Sequence, residues 1–402
     1  MAGITGMGTT FNLPNYHGEL FALSREDTPF LSAIGGLSGG GMTDATEFEW
    51  QGYDLRSRGQ NVKLEGATAP TAQERVRSNL SNVCQIHQEK VSVSYTKQAA
   101  TGQYGGANIG GTPSPVQDEL AWQVEQTIKE VAGDVNWSFL NGVYQKPSDN
   151  TTARKTRGLL QAATAGTVDK GSNVASGATT DAATDSVTPV AAHSLAVNDK
   201  VVFTRVGDSG LRIGKVYYVK SVSTTVSFKV AETLGGTVID LVDSAANVDY
   251  HSLWTTDLTV DHVNGFAKVI YDRGGLRNGL GTFVAGSDQV LALTSAYANA
   301  FAKANPFITG NEIGGVKVDQ VITPFGRLNI MLDTDMPADA IALTSLDQVR
   351  PVLLNTPGKG VFFEEPLAKT GASDDVQVYG EIGLDYGSPI AHGVLRGLKV
   401  AS

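Results

Sequence analysis

An apolar stripe in residues 120–139 places the strongest constraint on what this chain can fold into. Its members recur at spacings of four, four, three, four and four residues, the periodicity of one face of an α-helix. The stripe consists of Leu120, Val124, Ile128, Val131, Val135 and Phe139. Ser114 provides an N-cap, Pro115 fits the first helical position and Gln117 completes a capping box. The pattern predicts a helix over residues 115–141, a rod of about 40 Å.

A long hairpin is predicted upstream of this helix, over residues 47–96. Apolar and polar residues alternate at both of its ends, as they do in half-buried strands. The alternating apolar residues are Phe48, Trp50, Val91, Val93 and Tyr95. Between the ends, residues 54–77 carry five basic and three acidic side chains, a net charge of +2. Such long loops are usually functional or disordered, and composition leaves both readings open.

Composition excludes several classes of protein. Of the 402 residues, 18% are charged and 41% are hydrophobic, so the chain is charge-poor but is not an intrinsically disordered protein. The net charge of −10 opposes tight binding to nucleic acid or to anionic membranes. Cys84 is the single cysteine and cannot form an internal disulfide, which favours an intracellular origin. The sequence starts without a signal-peptide pattern and has no run of 18 apolar residues, so we expect neither export by that route nor a membrane span.

The second half of the chain mixes strand-like and helical patterns. Residues 162–190 are rich in small and polar side chains and predict a linker or a thin β-turn-rich edge. Four β-type runs follow, at residues 201–204, 216–219, 226–230 and 238–241, and predict a small barrel or sandwich. Further patterns predict helices over 287–304 and 345–354, and strands near 316–323, 328–332, 376–384 and 391–398.

One segment of the sequence resembles a catalytic motif. Residues 207–210, Gly-Asp-Ser-Gly, match the nucleophile motif of trypsin-like proteases, but a polar hairpin turn explains them, and His193 is the only upstream histidine nearby. A serine hydrolase resting on Ser209 stays as an alternative. Asp333, Asp335 and Asp339 lack the pattern of a calcium loop and predict a solvated turn. Histidine pairs at metal-ligand spacing and a Walker A loop are both missing, so we predict no catalytic, cofactor-binding or metal-binding residues and no enzyme.

Three segments resemble the major capsid proteins of tailed bacteriophages, in particular those of actinobacterial phages. The segments are residues 7–16 (MGTTFNLPNY) with 27–31 (DTPFL), residues 323–326 (TPFG) with 336–337 (MP), and residues 367–371 (LAKTG) with 379–381 (YGE). The order of a glycine-punctuated arm, a charged hairpin, a long helix and a mixed domain is also similar. The resemblance covers about residues 1–160 and 256–402, and its fold is shared with encapsulins and the herpesvirus capsid floor.

The resemblance implies an α+β tailed-phage major capsid fold with an all-β insertion domain. The implied parts are an N-terminal arm (1–46), an extended loop hairpin (47–96), a peripheral domain (97–165) with a spine helix over about 115–141, a β insertion domain (166–255), an axial domain (256–350) and C-terminal strands that complete both domains (351–402).

The implied function is a structural major capsid protein. It would self-assemble into hexamers and pentamers of an icosahedral shell that encloses double-stranded DNA without sequence-specific binding, with no cofactor and no membrane. We expect assembly in the host cytoplasm and residence in the virion capsid, with a portal, a decoration protein and a separate scaffolding protein as possible partners. The alternative is a phage tail or surface-fibre protein.

The resemblance also implies that the extended loop reaches over a neighbouring subunit. The candidate contacts between subunits are Arg56, Arg58, Lys63, Arg75, Arg77 and Phe30. Some relatives join lysine to asparagine covalently between subunits. Lys63 is a conceivable donor, although the sequence identifies no acceptor and no catalytic glutamate.

Overall fold

A computed structural model of the chain describes residues 23–72, 74–99, 119–171, 173–223, 226–276, 280–304, 320–369 and 371–400. The predicted helix cap at residues 114–117, residues 1–22 of the N-terminal arm and residues 316–319 lie outside this described part. The chain divides into two compact units, each assembled from separate stretches. The first unit comprises Met1–Asp27, Ile86–Asp134 and Thr356–Gly380, and the second comprises Thr28–Gln85, Val135–Asn355 and Glu381–Ser402.

The described residues contain six α-helices. They are α1 (Pro29–Ile34), α2 (Tyr95–Ala99), α3 (Glu119–Asn141), α4 (Leu159–Ala162), α5 (Val260–Asp272) and α6 (Ser287–Ala304). The long helix predicted from the apolar stripe is present as α3, and the helix predicted over residues 287–304 is confirmed as α6. None of the described helices is long and apolar enough to cross a membrane.

The same residues form nineteen β-strands. They are β1 (Gly41–Thr43), β2 (Glu47–Tyr53), β3 (Arg77–Val83), β4 (Gln85–Ser94), β5 (Thr167–Asp169), β6 (Val174–Asp181), β7 (Ser186–Thr188), β8 (Lys200–Arg205), β9 (Val216–Ser223), β10 (Ser227–Ala231), β11 (Val248–Ser252), β12 (Leu280–Ala285), β13 (Gln320–Thr323), β14 (Gly326–Leu332), β15 (Ile341–Thr344), β16 (Arg350–Leu354), β17 (Phe362–Pro366), β18 (Ser373–Asp385) and β19 (Gly393–Arg396).

The first unit combines strands with part of α3. β17 pairs antiparallel with β18 from Phe362 opposite Gly380 to Pro366 opposite Val376, and β4 also pairs with β18. Alternation along β4 buries one side of the strand, as the sequence pattern predicts. The buried residues Val91 and Val93 form a small core with Val124 of α3 and Val378 of β18.

The second unit is built on a six-stranded sheet in the order β13-β14-β12-β15-β19-β5. Its apolar core contains residues of helices α5 and α6 together with the sheet. The buried core residues include Phe266 and Ile270 of α5, Leu293 of α6, Phe283 of β12 and Leu343 of β15. β16 also lies in this unit, where it pairs antiparallel with the end of β18 and parallel with β1.

Six strands of the second unit close into a barrel in the order β10-β7-β6-β11-β8-β9. The aromatic rings of Phe203, Tyr217, Phe228 and Tyr250 fill its interior and meet edge to face or tilted. The sequence reading of residues 162–190 missed β6 and β7, because β6 turns small residues such as Ala178 inward and the three-residue β7 has a single apolar residue, Val187. Of the four β-type runs, residues 238–241 form only an isolated bridge between Val238 and Ala231.

The helix predicted over residues 345–354 is wrong. Residues Leu346–Gln348 form one 3-10 turn, and Arg350–Leu354 form strand β16. Pro351 lacks the N–H that a helix interior requires, and it pairs opposite Leu384 of β18 instead. Pairing with strands distant in sequence therefore overrides the local pattern here.

Candidate functional site

The hairpin predicted over residues 47–96 has a different return strand. β2 pairs antiparallel with β3 from Glu47 opposite Val83 to Tyr53 opposite Arg77, and these two strands form a sheet of their own. The prediction that residues 91–95 return along β2 is wrong, because residues 85–94 form β4, which pairs with β18. β3 was missed because its sequence, RSNLSNV, carries few apolar residues.

The loop of residues 54–76 projects from the end of this hairpin. Each of its described residues is exposed. The exposed side chains include four apolar ones, which are Leu55 (70%), Val62 (71%), Leu64 (87%) and Val76 (77%). Covering these apolar side chains with another surface would lower the free energy, because apolar area leaves water. The loop therefore combines apolar area with a net positive charge.

The five basic candidates lie on this exposed loop and at its end. Within the described part of the chain, Arg58, Lys63 and Arg75 make no salt bridge. Arg56 donates to the carbonyl oxygen of Ser57 at 3.4 Å, and Arg77, the first residue of β3, donates to Gln51 Oε1 at 3.0 Å.

Phe30, the sixth candidate, is placed differently. Its side chain is fully buried in α1, and its backbone N–H donates to Asp333 Oδ2 at 3.2 Å. We therefore assign Phe30 to the core of the subunit and keep the inter-subunit hypothesis for the basic loop residues. Phe11, Tyr16 and Phe21, the other aromatic residues of the arm, lie outside the described residues.

The base of the hairpin is fastened to the segment that follows β18. The indole N–H of Trp50 donates to the carbonyl oxygen of Gly387 at 2.7 Å. The ring of Trp50 meets Tyr386 edge to face, with centroids 4.8 Å apart, and stacks against Phe48 at 6.0 Å. On the partner strand, Asn82 donates to the carbonyl oxygen of Leu384 at 2.7 Å.

A family model described as the SU10 major capsid protein matches residues 3–399 of this chain. The chain belongs to the SU10 major capsid protein family. Its structure is similar to the capsid asymmetric unit of cyanophage A-1(L), with a TM-score of 0.53, 12% identity, and coverage of 97% of this chain and 98% of that chain.

Two further solved structures are similar at lower scores. The capsid of cyanophage P-SCSP1u gives a TM-score of 0.49 at 10% identity and covers 100% of this chain and 97% of that chain. The holo-SrpI encapsulin complex from Synechococcus elongatus PCC 7942 gives 0.47 at 10% identity, with 98% and 94% covered. No curated protein sequence matches the chain.

The predicted capsid fold and the predicted role are thereby confirmed. The protein is a structural component of a capsid shell, and the alternative of a tail or fibre protein is not favoured. The SU10 family match extends over residues 166–255, the part of the chain that the sequence resemblance did not cover.

Ser209 of this capsid protein lies in a turn, as predicted. Its hydroxyl donates to the carbonyl oxygen of Val206 at 2.7 Å, and the side chain is fully buried. His193 instead packs edge to face on Phe228 with centroids 5.4 Å apart, and its Nδ1 accepts the N–H of Leu195. The geometry does not bring a histidine base to Ser209, so it gives the serine-hydrolase alternative no support.

The prediction of a solvated turn at Asp333, Asp335 and Asp339 is wrong for two of the three residues. Asp333 and Asp339 are both fully buried. Asp333 accepts hydrogen bonds from Asn136 Nδ2 at 3.1 Å and from the backbone N–H of Asp335 at 2.8 Å, in addition to that of Phe30. This network joins α1, α3 and the segment after β14. Within the described residues, no group of three or more potential metal ligands occurs.

Two further buried polar groups were invisible to the sequence. His251 of β11 in the barrel contacts Asp339, with 2.5 Å between Nε2 and Oδ2, and both side chains are almost fully buried. Asp339 Oδ2 also accepts the N–H of Gly397 at 3.0 Å. Cys84 is fully buried, and desolvation raises the pKa of its thiol to about 12. No periodic pattern could reveal these groups, since each depends on residues far away in the chain.

Proposed function

We propose that this protein is the repeating subunit of an icosahedral shell around double-stranded DNA, and that it assembles as hexamers and pentamers. The exposed loop of residues 54–76 carries this proposal. Its apolar side chains gain stability only when a neighbouring surface covers them, by about 25 cal/mol for each Å² buried. Its net positive charge complements a chain whose net charge is −10. Such complementarity fixes the register of an interface more than it adds affinity.

The domain organisation is part of the proposal. We infer that the first compact unit corresponds to the peripheral domain and that the six-stranded sheet belongs to the axial domain. The barrel would be an insertion over residues 166–255. The negative subunit would enclose DNA without coating it tightly, because phosphate binding requires neutralisation by basic side chains.

The same proposal covers partners and chemistry. The subunit would assemble in the host cytoplasm without catalysing a reaction, with a separate scaffolding protein, a portal and a decoration protein as partners. Burial of the exposed loops under neighbouring subunits would drive assembly of the shell, so this role requires no active site.

Charge reversal on the loop tests the contact. We expect the combined change of Arg56, Arg58 and Arg75 to Glu to leave soluble subunits that form no closed shells in negative-stain electron micrographs. The matched control reverses Arg205, Arg212 and Lys268, three basic residues outside the loop. Both variants lower the net charge by six. Shells from the loop variant, or equal loss of shells in both variants, would contradict the loop contact.

A further inference from the structure

The direction of the loop depends on the base of its hairpin. Strands β2 and β3 pair only with each other in the described chain. An isolated two-stranded ribbon is marginally stable in water, so no larger sheet fixes its orientation. Side chains at the base must therefore set the angle at which residues 54–76 leave the subunit.

At this base, Trp50 makes the contacts whose geometry restricts the orientation of the hairpin. Its N–H bond of 2.7 Å to the Gly387 carbonyl oxygen requires a defined ring position, and the edge-to-face contact with Tyr386 restricts the ring plane, with 82° between the two rings. Phe48, two residues earlier on the same face of β2, extends the apolar contact.

The segment that receives Trp50 is itself held in place. Gly387 adopts the left-handed region at φ +59°, and its N–H donates to Asp385 Oδ1 at 2.9 Å. Asp385 in turn accepts from Arg350 Nε at 2.9 Å. Tyr386 is buried, and its hydroxyl accepts from Arg157 Nη1 at 2.9 Å. The acceptor for the indole is therefore held by contacts outside the hairpin.

Strand β3 is bound to the same segment, residues 383–387. Asn82 of β3 is fully buried, donates to the carbonyl oxygen of Leu384, and accepts the backbone N–H of Arg157 at 2.8 Å. Gly383 permits the close approach, since a Cβ there would lie 2.7 Å from Phe48 Cε1. Both strands thus depend on one short stretch, residues 383–387.

A small rotation at this base would have a large effect at the loop tip. Each side of the loop holds about eleven residues, which reach at most about 36 Å when extended. A rotation of about 10° would move a tip at that distance by about 6 Å, twice the length of a hydrogen bond of about 3 Å. We propose that Trp50 is a positioning residue for shell assembly, whose bond to Gly387 fixes the angle of the loop. This inference rests on the proposed loop contact between subunits.

The test compares Trp50→Phe with Trp254→Phe, which makes the same chemical change at a ring that packs on His262. Spin labels on Ala69→Cys in the loop and on exposed Lys268→Cys report the loop angle by electron–electron distance measurement, and buried Cys84 stays unlabelled in the folded subunit. We expect W50F to broaden the distance distribution at least twofold and to reduce the yield of closed shells at least tenfold. W254F should change neither.

Equal distance distributions and shell yields in W50F and W254F would overturn the role of Trp50. If W50F gives no soluble subunit, Gly383→Ala tests the same base against Gly59→Ala, where a Cβ meets nothing within 4 Å. Normal shells from W50F with lost shells from the loop charge reversal would refute the positioning role alone. Normal shells from both would refute the loop contact itself.

Discussion

Replacement of Asp333 by alanine tests how α1 is held to the rest of its unit. The carboxylate is fully buried and accepts hydrogen bonds from the backbone N–H groups of Phe30 and Asp335 and from Asn136 Nδ2, at 3.2, 2.8 and 3.1 Å. Alanine would remove this acceptor from all three donors. The free energy of unfolding should therefore fall.

The size of the loss follows from two opposing contributions. Asn136 Nδ2 keeps its bond to Asp335 Oδ2 at 2.7 Å, so the cost falls on two backbone donors at about 1–3 kcal/mol each, about 2–6 kcal/mol in all. Removal of a buried carboxylate returns part of this, because desolvation of a charge costs several kcal/mol. We expect a net loss of about 2–4 kcal/mol for Asp333→Ala. Asp333→Asn keeps one acceptor oxygen and should lose about 1–3 kcal/mol.

Urea unfolding of soluble subunits, followed by tryptophan fluorescence, measures these values. Asp208→Ala, at an exposed turn position of the barrel, is the matched control and should stay within about 0.5 kcal/mol of the parent protein. A loss below about 0.5 kcal/mol for Asp333→Ala would refute the reasoning, because the three bonds would then contribute no net stability.

Two further outcomes follow from the buried titratable groups. Because the pKa of Cys84 is raised to about 12, iodoacetamide at pH 8 should leave the folded subunit unmodified and add one carbamidomethyl group in urea; rapid modification of the folded subunit would contradict this burial. Burial lowers the pKa of His87 from 6.5 to about 4, so the unfolded chain binds a proton between these pH values that the folded chain does not. The free energy of unfolding should therefore be unaffected by His87 above pH 6.5 and should fall by about 3 kcal/mol as the pH is lowered to 4. His87→Leu should remove this part of the pH dependence in urea unfolding.

Local patterns were reliable where most of one face of an element is buried: in the stripe of α3, Val124, Val131, Val135 and Phe139 are buried, although Ile128 is 43% exposed. The stripe in residues 120–139 predicted α3 because burial on a helix repeats every three to four residues, and α6 matched its predicted bounds. Alternation predicted β2 and β4 as strands but could not state their partners. The return strand β3 escaped because its exposed residues give no period, and residues 345–354 became β16 because β1 and β18 flank them.

The capsid resemblance, the long helix, the charged loop and three of the six barrel strands (β8, β9 and β10) could be read from the sequence, since each depends on residues close together in the chain. The tertiary structure alone decided that Asp333 and Asp339 are buried, that Phe30 belongs to the core, and that Trp50 is bound to Gly387. These facts depend on partners as far apart as 337 positions for Trp50 and 303 for Phe30. A buried polar side chain is stable only with such partners, and no local pattern can reveal them.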